Sequence, residues 1–470
     1  MMDARAILQT IWQAGGLPAE SLNQIILTGS EPALPSAFAV GTAAQTTVAA
    51  AALAAAGLGQ LRQPGLPHQT ISVDMQHAAI ECSGWFSING KVPDVWEKFS
   101  GLYPCRDGWV RIHANFTHHR DGALALLGLS ADHAEKADVV RALQQWRAHD
   151  FEQAAAERAL VVAAMRSFEE WDRHPQGQAI AAQPLFTIER IGDAAPLPLP
   201  PLDAAQRPLS GVRVLDLTRI IAGPVGGRTL AAYGADVMLV NSPNLPNIDS
   251  IIESSRGKLS VQLDLLQAQQ RASLDQLVAG SHVFVQGYRP GGLAQLGYSP
   301  AQLAAKRPGI VAISLSAYGT QGPWAGRRGF DSLVQTASGF NHAEGQAFAG
   351  QASAAGSADP KAMPVQILDF ATGFLIAYAA ACALQRQQQE GGSWHVQLSL
   401  AQTGNWLRSL GRVANGFACT MPERAPFIET LESGYGQLQA LRHSASFSRT
   451  PASCARPSMP PGSHPPHWPD

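Results

Sequence analysis

The sequence predicts an α/β protein whose larger part is a parallel sheet with crossover helices, joined to a smaller α+β domain. Three observations carry that expectation. From Gly211 to about Gly404, apolar β-branched runs alternate with helical segments, the pattern of parallel strands that need crossover connections. The first run ends in a Gly/Pro turn, Ala222-Gly223-Pro224-Val225-Gly226-Gly227, that opens a helix. A Pro-rich stretch, Ala194-Ala195-Pro196-Leu197-Pro198-Leu199-Pro200-Pro201, sets this region apart from the one before it, because proline fixes φ and cannot join a helix interior.

The elements follow in order. Residues 1–80 form an N-terminal helix-strand segment, 81–190 a small domain, 191–210 the linker, 211–420 the large domain, and 421–470 a Pro/Ser-rich tail whose part from Ser446 to Asp470 is expected to lie along the surface or to be mobile. In the large domain, Val212-Arg213-Val214-Leu215-Asp216-Leu217 reads as a buried strand, followed by a helix through Ala232. Further strands are expected at Val237–Val240, Val283–Val285 and Ile310–Leu315. Strands separated in this way by helices describe a Rossmann-like domain.

The chain also repeats itself weakly. Val40-Gly41-Thr42-Ala43-Ala44 opens an Ala-rich helix ending near Arg62, and a strand-like run, Thr70 to Gln76, follows a turn. Leu368-Asp369-Phe370-Ala371-Thr372-Gly373 opens a second Ala-rich helix ending near Arg386, followed by a Gly-Gly turn and the run His395 to Gln402. Gly41 stands about where Asp369 stands in the later copy, so one carboxylate serves the pair. The Ala-rich stretches Phe38–Leu58 and Phe370–Leu384 read as core helices: polar residues interrupt the first, and the second is too short for about 30 Å of hydrocarbon.

Composition narrows function. The chain has 470 residues, a formal net charge of −2 and 46% hydrophobic residues, enough for two or three domains but with no basic field for a nucleic-acid backbone. Five scattered cysteines without a CxxC pair suggest neither a disulfide framework nor a zinc site, and with no signal-peptide pattern at the start a cytoplasmic setting is expected. The turn after the first strand lacks G-x-G-x-x-G spacing, and Asn241-Ser242 stand where a ribose-binding acid belongs. His113, His118 and His119 have no regular metal-ligand spacing, and no G-x-S-x-G elbow is present.

A set of motifs in fixed order resembles family III CoA-transferases, the CaiB/BaiF type that also includes α-methylacyl-CoA racemases. They are Gly211 to Val240, Ser255 to Asp264, Tyr288-Arg289-Pro290-Gly291, Ser314 to Gly319 with Gly322-Pro323, Gly329-Phe330-Asp331, and the Asp369 segment. Tyr103 to Val110 and Phe168 to Pro175 resemble the small domain of that family. The small domain precedes the Rossmann-like part here, which reads as a permuted or fused order.

The resemblance implies an enzyme that moves coenzyme A between carboxylic acids, with acyl-CoA as substrate, no tightly bound cofactor, no metal, and a homodimer that interlocks in relatives. It implies Asp369 as the reacting carboxylate, whereas the local sequence alone favours a plain helix N-cap over catalysis. It places Arg219, Ile220, Ile221 and Ala222 at the CoA site, with Tyr288 and Tyr318 in contact and Arg256 and Lys258 neutralising phosphates. Asn241, Ser242 and Gly287 depart from the family pattern at the nucleotide end. Racemases of the family carry a histidine where Phe330 stands, so transfer is expected rather than isomerisation. Acid-binding side chains are expected on the loop from Asn341 to Met363. An intramolecular CoA shift, a racemase-like isomerase and a non-catalytic CoA-binding protein are the alternatives.

Overall fold

The computed structural model describes residues 3–351 and 359–469. Its N-terminal unit runs α1 (Ala4–Gly15), β1 (Ile25–Thr28), α2 (Val40–Arg62), β2 (Ile71–Asp74) and α3 (Met75–Glu81). After β3 (Phe86–Ile88), the small domain folds β4 (Gly101–Pro104), β5 (Trp109–Ile112) and β6 (Val162–Ala164) into an antiparallel sheet with its own core. Both β5 neighbours are short, so alternate residues of β5 divide cleanly: Val110 enters the small core, while Arg111 and His113 stand on the face toward the large domain.

The large sheet has seven strands in the order Leu259–Gln262, Asp236–Asn241, Arg213–Leu217, Val283–Gln286, Val311–Ser316, Ser393–Ser399, Phe186–Gly192. Numbered along the chain these are β10, β9, β8, β11, β12, β13 and β7. Six are parallel; β7, which precedes the linker, adds as an antiparallel edge strand on β13. The α/β class and the strand-helix alternation therefore stand as the sequence predicts them. The run His395 to Gln402 divides differently, into β13 and a helix starting at Leu400. Ser399 supplies the break by capping that helix, its hydroxyl accepting the Gln402 N–H at 3.1 Å.

Two helices position the site. Ala222–Ala232, at the carboxyl end of β8, packs on Ile367–Glu390, which is longer than the Ala-rich stretch alone suggests. Contact is close because Gly373 has no Cβ; one placed there would lie 2.6 Å from the Ala222 carbonyl oxygen. The long helix also packs along α2, and Gln385 Nε2 donates to Ala54 O at 3.0 Å. Both long helices have the length and composition of membrane spans, yet both are buried within the protein.

Both stretches fold as a long helix followed by a strand, and their starts align with a one-residue shift from the sequence comparison. The residue before α2, Ala39, has φ −76° and ψ 58°; the residue before the long helix, Gln366, has φ −80° and ψ 63°. Counting from these matching starts, Thr42 occupies the position of Asp369 and Gly41 that of Leu368. Single-residue registers of this kind are set by where a helix begins, which composition leaves loose.

The C-terminal region folds into strands as far as Phe447, and residues 448–469 continue without helix or strand along the surface, as expected of the tail. β14 (Ile428–Ser433) and β15 (Gly436–Leu441) form a hairpin that pairs with β3, and β16 (Ala445–Phe447) pairs antiparallel with β2. Trp468 then docks on the large domain, its indole N–H donating to Leu277 O at 2.9 Å.

Candidate active site

Asp369 lies in the first turn of the long helix and is 6% exposed. It sits where two cavities meet, lining both. The larger, of about 430 Å³, is formed by loops that leave the carboxyl ends of β8, β11 and β12, the position where parallel α/β sheets bind ligands. Arg219, Ile220, Ile221, Ala222 and Tyr288 line it, so five expected residues and Asp369 do come together.

Ile220 has φ +78°. A β-branched side chain in the left-handed region costs on the order of 1–3 kcal/mol and persists only where the surroundings impose it. Here the constraint is a buried ion pair beneath the loop. Asp216, at the end of β8, accepts from the Thr218 N–H at 3.1 Å and from Lys258 Nζ at 2.8 Å, and Lys258 Nζ also donates to Pro224 O at 2.8 Å. The loop is thus tied down on both sides of Ile220.

That geometry corrects two of the expected CoA contacts. Lys258 is fully buried under the loop with Asp216 and cannot face a phosphate. Arg256 is likewise buried, bonded to Glu253 Oε1 and Glu429 Oε1 at 2.5 Å each and to Leu441 O at 3.0 Å. It ties the C-terminal hairpin to the large domain. A cation engaged by buried acids has no free charge to offer a ligand. Tyr318 is also outside both cavities: it is 2% exposed, with its ring edge-on to Trp324 at 5.0 Å.

The cations that do line the larger cavity are Arg219, Arg289, Arg327 and Arg328. Arg219 stacks over Phe116 at 5.2 Å and donates to Pro246 O. Arg327 stacks on Trp324 and lies 3.6 Å from Glu152. Among the described residues no acid lies within ion-pair distance of Arg219, Arg289 or Arg328, and Asp369 is the one acid lining the cavity. Arg289 adjoins the expected Tyr288, and the pair Arg327-Arg328 precedes Gly329-Phe330-Asp331; both were visible as motif neighbours.

The smaller chamber, of about 180 Å³, opens on the other side of Asp369. Its wall joins three regions: Ser83 and Gly84 after α3, Trp96 and His113 of the small domain, and Phe330, Asp331 and Ser332 of the large domain. His113 stacks on Phe330 with centroids 4.2 Å apart. Burial, then the nearby Arg111 charge, push the His113 imidazole down to about 3, so it is neutral and a weak base. The expected acid-binding loop from Asn341 to Met363 is instead helical over Phe340–Gln351, its residues 352–358 lie outside the described residues, and the chamber is walled by Pro364, Val365 and Gln366.

Asp331 is the functional neighbour that local sequence did not expose. It is buried, and its Oδ2 accepts the Asp369 N–H at 2.9 Å while Oδ1 accepts Gln335 Nε2 at 2.5 Å. It therefore caps the helix that carries Asp369. Both carboxyls are held above the ordinary range: burial is the main cause for each, and for Asp369 the Asp331 charge adds to it while the Ala222 N–H opposes it. Two carboxyls whose environments disfavour simultaneous ionisation titrate as a pair.

Fold and site together define a parallel-sheet α/β protein with a carboxylate buried at the carboxyl end of its sheet, between a basic cavity and a small chamber. Residues 209–426 match the model of CoA-transferase family III. An acyl-CoA transferase of Gibberella moniliformis is 30% identical over 371 residues, 70% of this chain and 64% of that protein. The probable fatty acyl-CoA transferase Rv3272 of Mycobacterium tuberculosis is 30% identical over 48% of this chain and 60% of its own length. A crystal structure of Rv3272 aligns over 44% of this chain and 58% of that one, at 30% identity and a TM-score of 0.38. The chain spans about three fifths of the length of these two curated relatives.

Proposed function

We propose that this protein transfers coenzyme A between carboxylic acids, with Asp369 as the nucleophile. The observation that carries the reading is the position of Asp369 between a cavity lined by four arginines and a small, partly apolar chamber. An acyl-CoA is a polyanion joined through a thioester to an acid, and the two cavities divide along that junction. The named sources of attraction are Arg219, Arg289 and Arg328, each without an acid partner among the described residues.

In this reading a carboxylate oxygen of Asp369 attacks the thioester carbonyl, the C–S bond breaks, and CoA leaves as thiolate, giving a mixed anhydride. The thiolate then attacks the Asp369 side-chain carbonyl and expels the first acid as its carboxylate, leaving CoA as a thioester on Asp369. An incoming carboxylate reverses both steps. The overall exchange is nearly balanced because it begins and ends with a CoA thioester of a carboxylic acid, with the mixed anhydride as the high-energy intermediate between them. Burial favours this chemistry: a carboxylate stripped of water is more basic, and the Ala222 N–H sustains its ionised form. Only the ionised fraction reacts, so the rate rises with pH through the raised Asp369 value.

Isomerisation at the α-carbon finds less support, since Phe330 cannot titrate and His113 beside it is too weakly basic to take a carbon-bound proton. A homodimer, interlocked or not, and a cytoplasmic setting belong to the same reading; five free thiols suit the latter. The test is incubation with acyl-CoA thioesters followed by intact-mass and peptide mass spectrometry. Acyl or CoA attached at Asp369, and absent in Asp369→Asn, supports transfer. Tight CoA binding with no adduct for any thioester supports a CoA-binding protein instead.

A further inference from the structure

We infer that the smaller chamber selects a short acyl group bearing a hydroxyl or another neutral hydrogen-bonding group; this rests on the CoA-transfer reading of Asp369. Size sets the first limit. The chamber holds about 180 Å³, and a dry cavity of about 150 Å³ accommodates benzene, so there is room for roughly six to eight non-hydrogen atoms. A palmitoyl chain, of about sixteen carbons, exceeds it roughly two- to threefold.

Polarity sets the second. Ser83 Oγ, His113 Nδ1, Ser254 Oγ and Ser332 Oγ are buried and have no hydrogen-bond partner among the described residues, and all four residues line this one chamber. An unmet buried polar group costs about 1–3 kcal/mol, so native structures carry few of them. Four of the fourteen such atoms among the described residues belong to residues that line this one chamber, where a side-chain rotation turns them toward a ligand. A hydroxyl suits the set, since it donates and accepts, and the wall offers hydroxyls and a neutral imidazole that do both.

Charge sets the third. No lysine or arginine lines the chamber, whereas Asp331 and Glu253 do. Glu253 is satisfied by Arg228 and Arg256, but Asp331 has no ion-pair partner within 4 Å among the described residues. A second carboxylate on the acyl group would meet Asp331 without a compensating cation. Arg111, whose charge acts on Asp331, stacks on Trp96 at 5.0 Å without lining the chamber.

The experiment measures exchange of isotope-labelled free acid into its own CoA thioester, with the Asp369 adduct followed by mass spectrometry as a second readout. The thioesters are butyryl-, 3-hydroxybutyryl-, succinyl- and palmitoyl-CoA. The expected result is kcat/KM about a hundredfold higher for 3-hydroxybutyryl- than for butyryl-CoA, with succinyl and palmitoyl lower still. The double variant Ser254→Ala/Ser332→Ala should shrink that ratio below about tenfold, since it removes two of the groups that read the hydroxyl. Equal or faster exchange of butyryl or palmitoyl, or preference for succinyl, overturns the inference while leaving CoA transfer intact; succinyl preference would assign Arg111 to the second carboxylate. If no thioester of the panel marks Asp369, the transfer reading itself fails.

Discussion

The two Ala-rich helices start from nearly the same backbone angles, at Ala39 and Gln366, yet one start borders two cavities and the other is closed. At the first, the Thr42 N–H donates to Glu31 Oε1 at 2.7 Å, and the same carboxylate takes the Ala33 N–H at 2.9 Å. Ala33 is so close that a Cβ on Gly41 would lie 2.5 Å from its own. At the second, the equivalent Asp369 N–H donates to Asp331 Oδ2 at 2.9 Å, but the space beyond stays open on two sides. Both helix starts are thus capped by a carboxylate from elsewhere, in keeping with the orphan N–H groups every helix presents there. The difference lies in the neighbours: a local loop fills one, and the β8 loop with the small domain frames a cavity at the other. Repetition copies the backbone; chemistry depends on what is packed against it.

The comparison can be broken most forcefully at Asp369. Asp369→Asn should lower transfer by at least about a thousandfold with the fold intact by circular dichroism, whereas Thr42→Val at the equivalent position should leave the rate within twofold. Next in size is the brace under the open site. Lys258→Met leaves Asp216 buried without its cation and should cost about 3–5 kcal/mol of stability in denaturant melts, while a direct loss of CoA affinity would restore Lys258 as a phosphate contact.

Asp331→Asn keeps an acceptor for the Asp369 N–H but removes its charge. The acidic limb of the pH–rate profile should move to lower pH, because the Asp331 charge is one cause of the raised Asp369 value. Stability gives the matching sign. A carboxyl whose folded pKa is raised, here to about 7 for Asp331, favours the fold while protonated and loses that contribution as pH rises through the folded value. The wild type should therefore lose more melting temperature than Asp331→Asn between about pH 4 and pH 7. The smallest effect concerns the closed helix. Thr42→Asp sets a second acid beside Glu31 in a position 3% exposed, so it should lower the melting temperature by several degrees and create no second adduct in mass spectrometry.

Much of the site was legible because it is local. The turn after β8 and the start of the long helix carry Ile220, Ala222 and Asp369 within single motifs, and the residue after Tyr288 supplies Arg289. What was misread shares one cause. Arg256 and Lys258 look like free loop cations until Glu429, 173 residues away, and Asp216, 42 residues away, are brought to them. Asp331 reads as part of a short motif until a helix 38 residues later presents its N–H. The strands within residues 428–447 are hard to read from composition because they gain partners only in β2 and β3, at the far end of the chain.

The sequence by itself determined the α/β class, the order of strands and helices, the duplication, and the aspartate that one copy keeps. These follow from period, turn chemistry and residue type, which act over a few neighbours. Tertiary structure alone decided which cations are spent in buried pairs, that Asp331 shares a titration with Asp369, and that the chamber draws its wall from three separate regions. Such properties depend on charge, desolvation and contact between groups distant in the chain, and no local pattern encodes those distances.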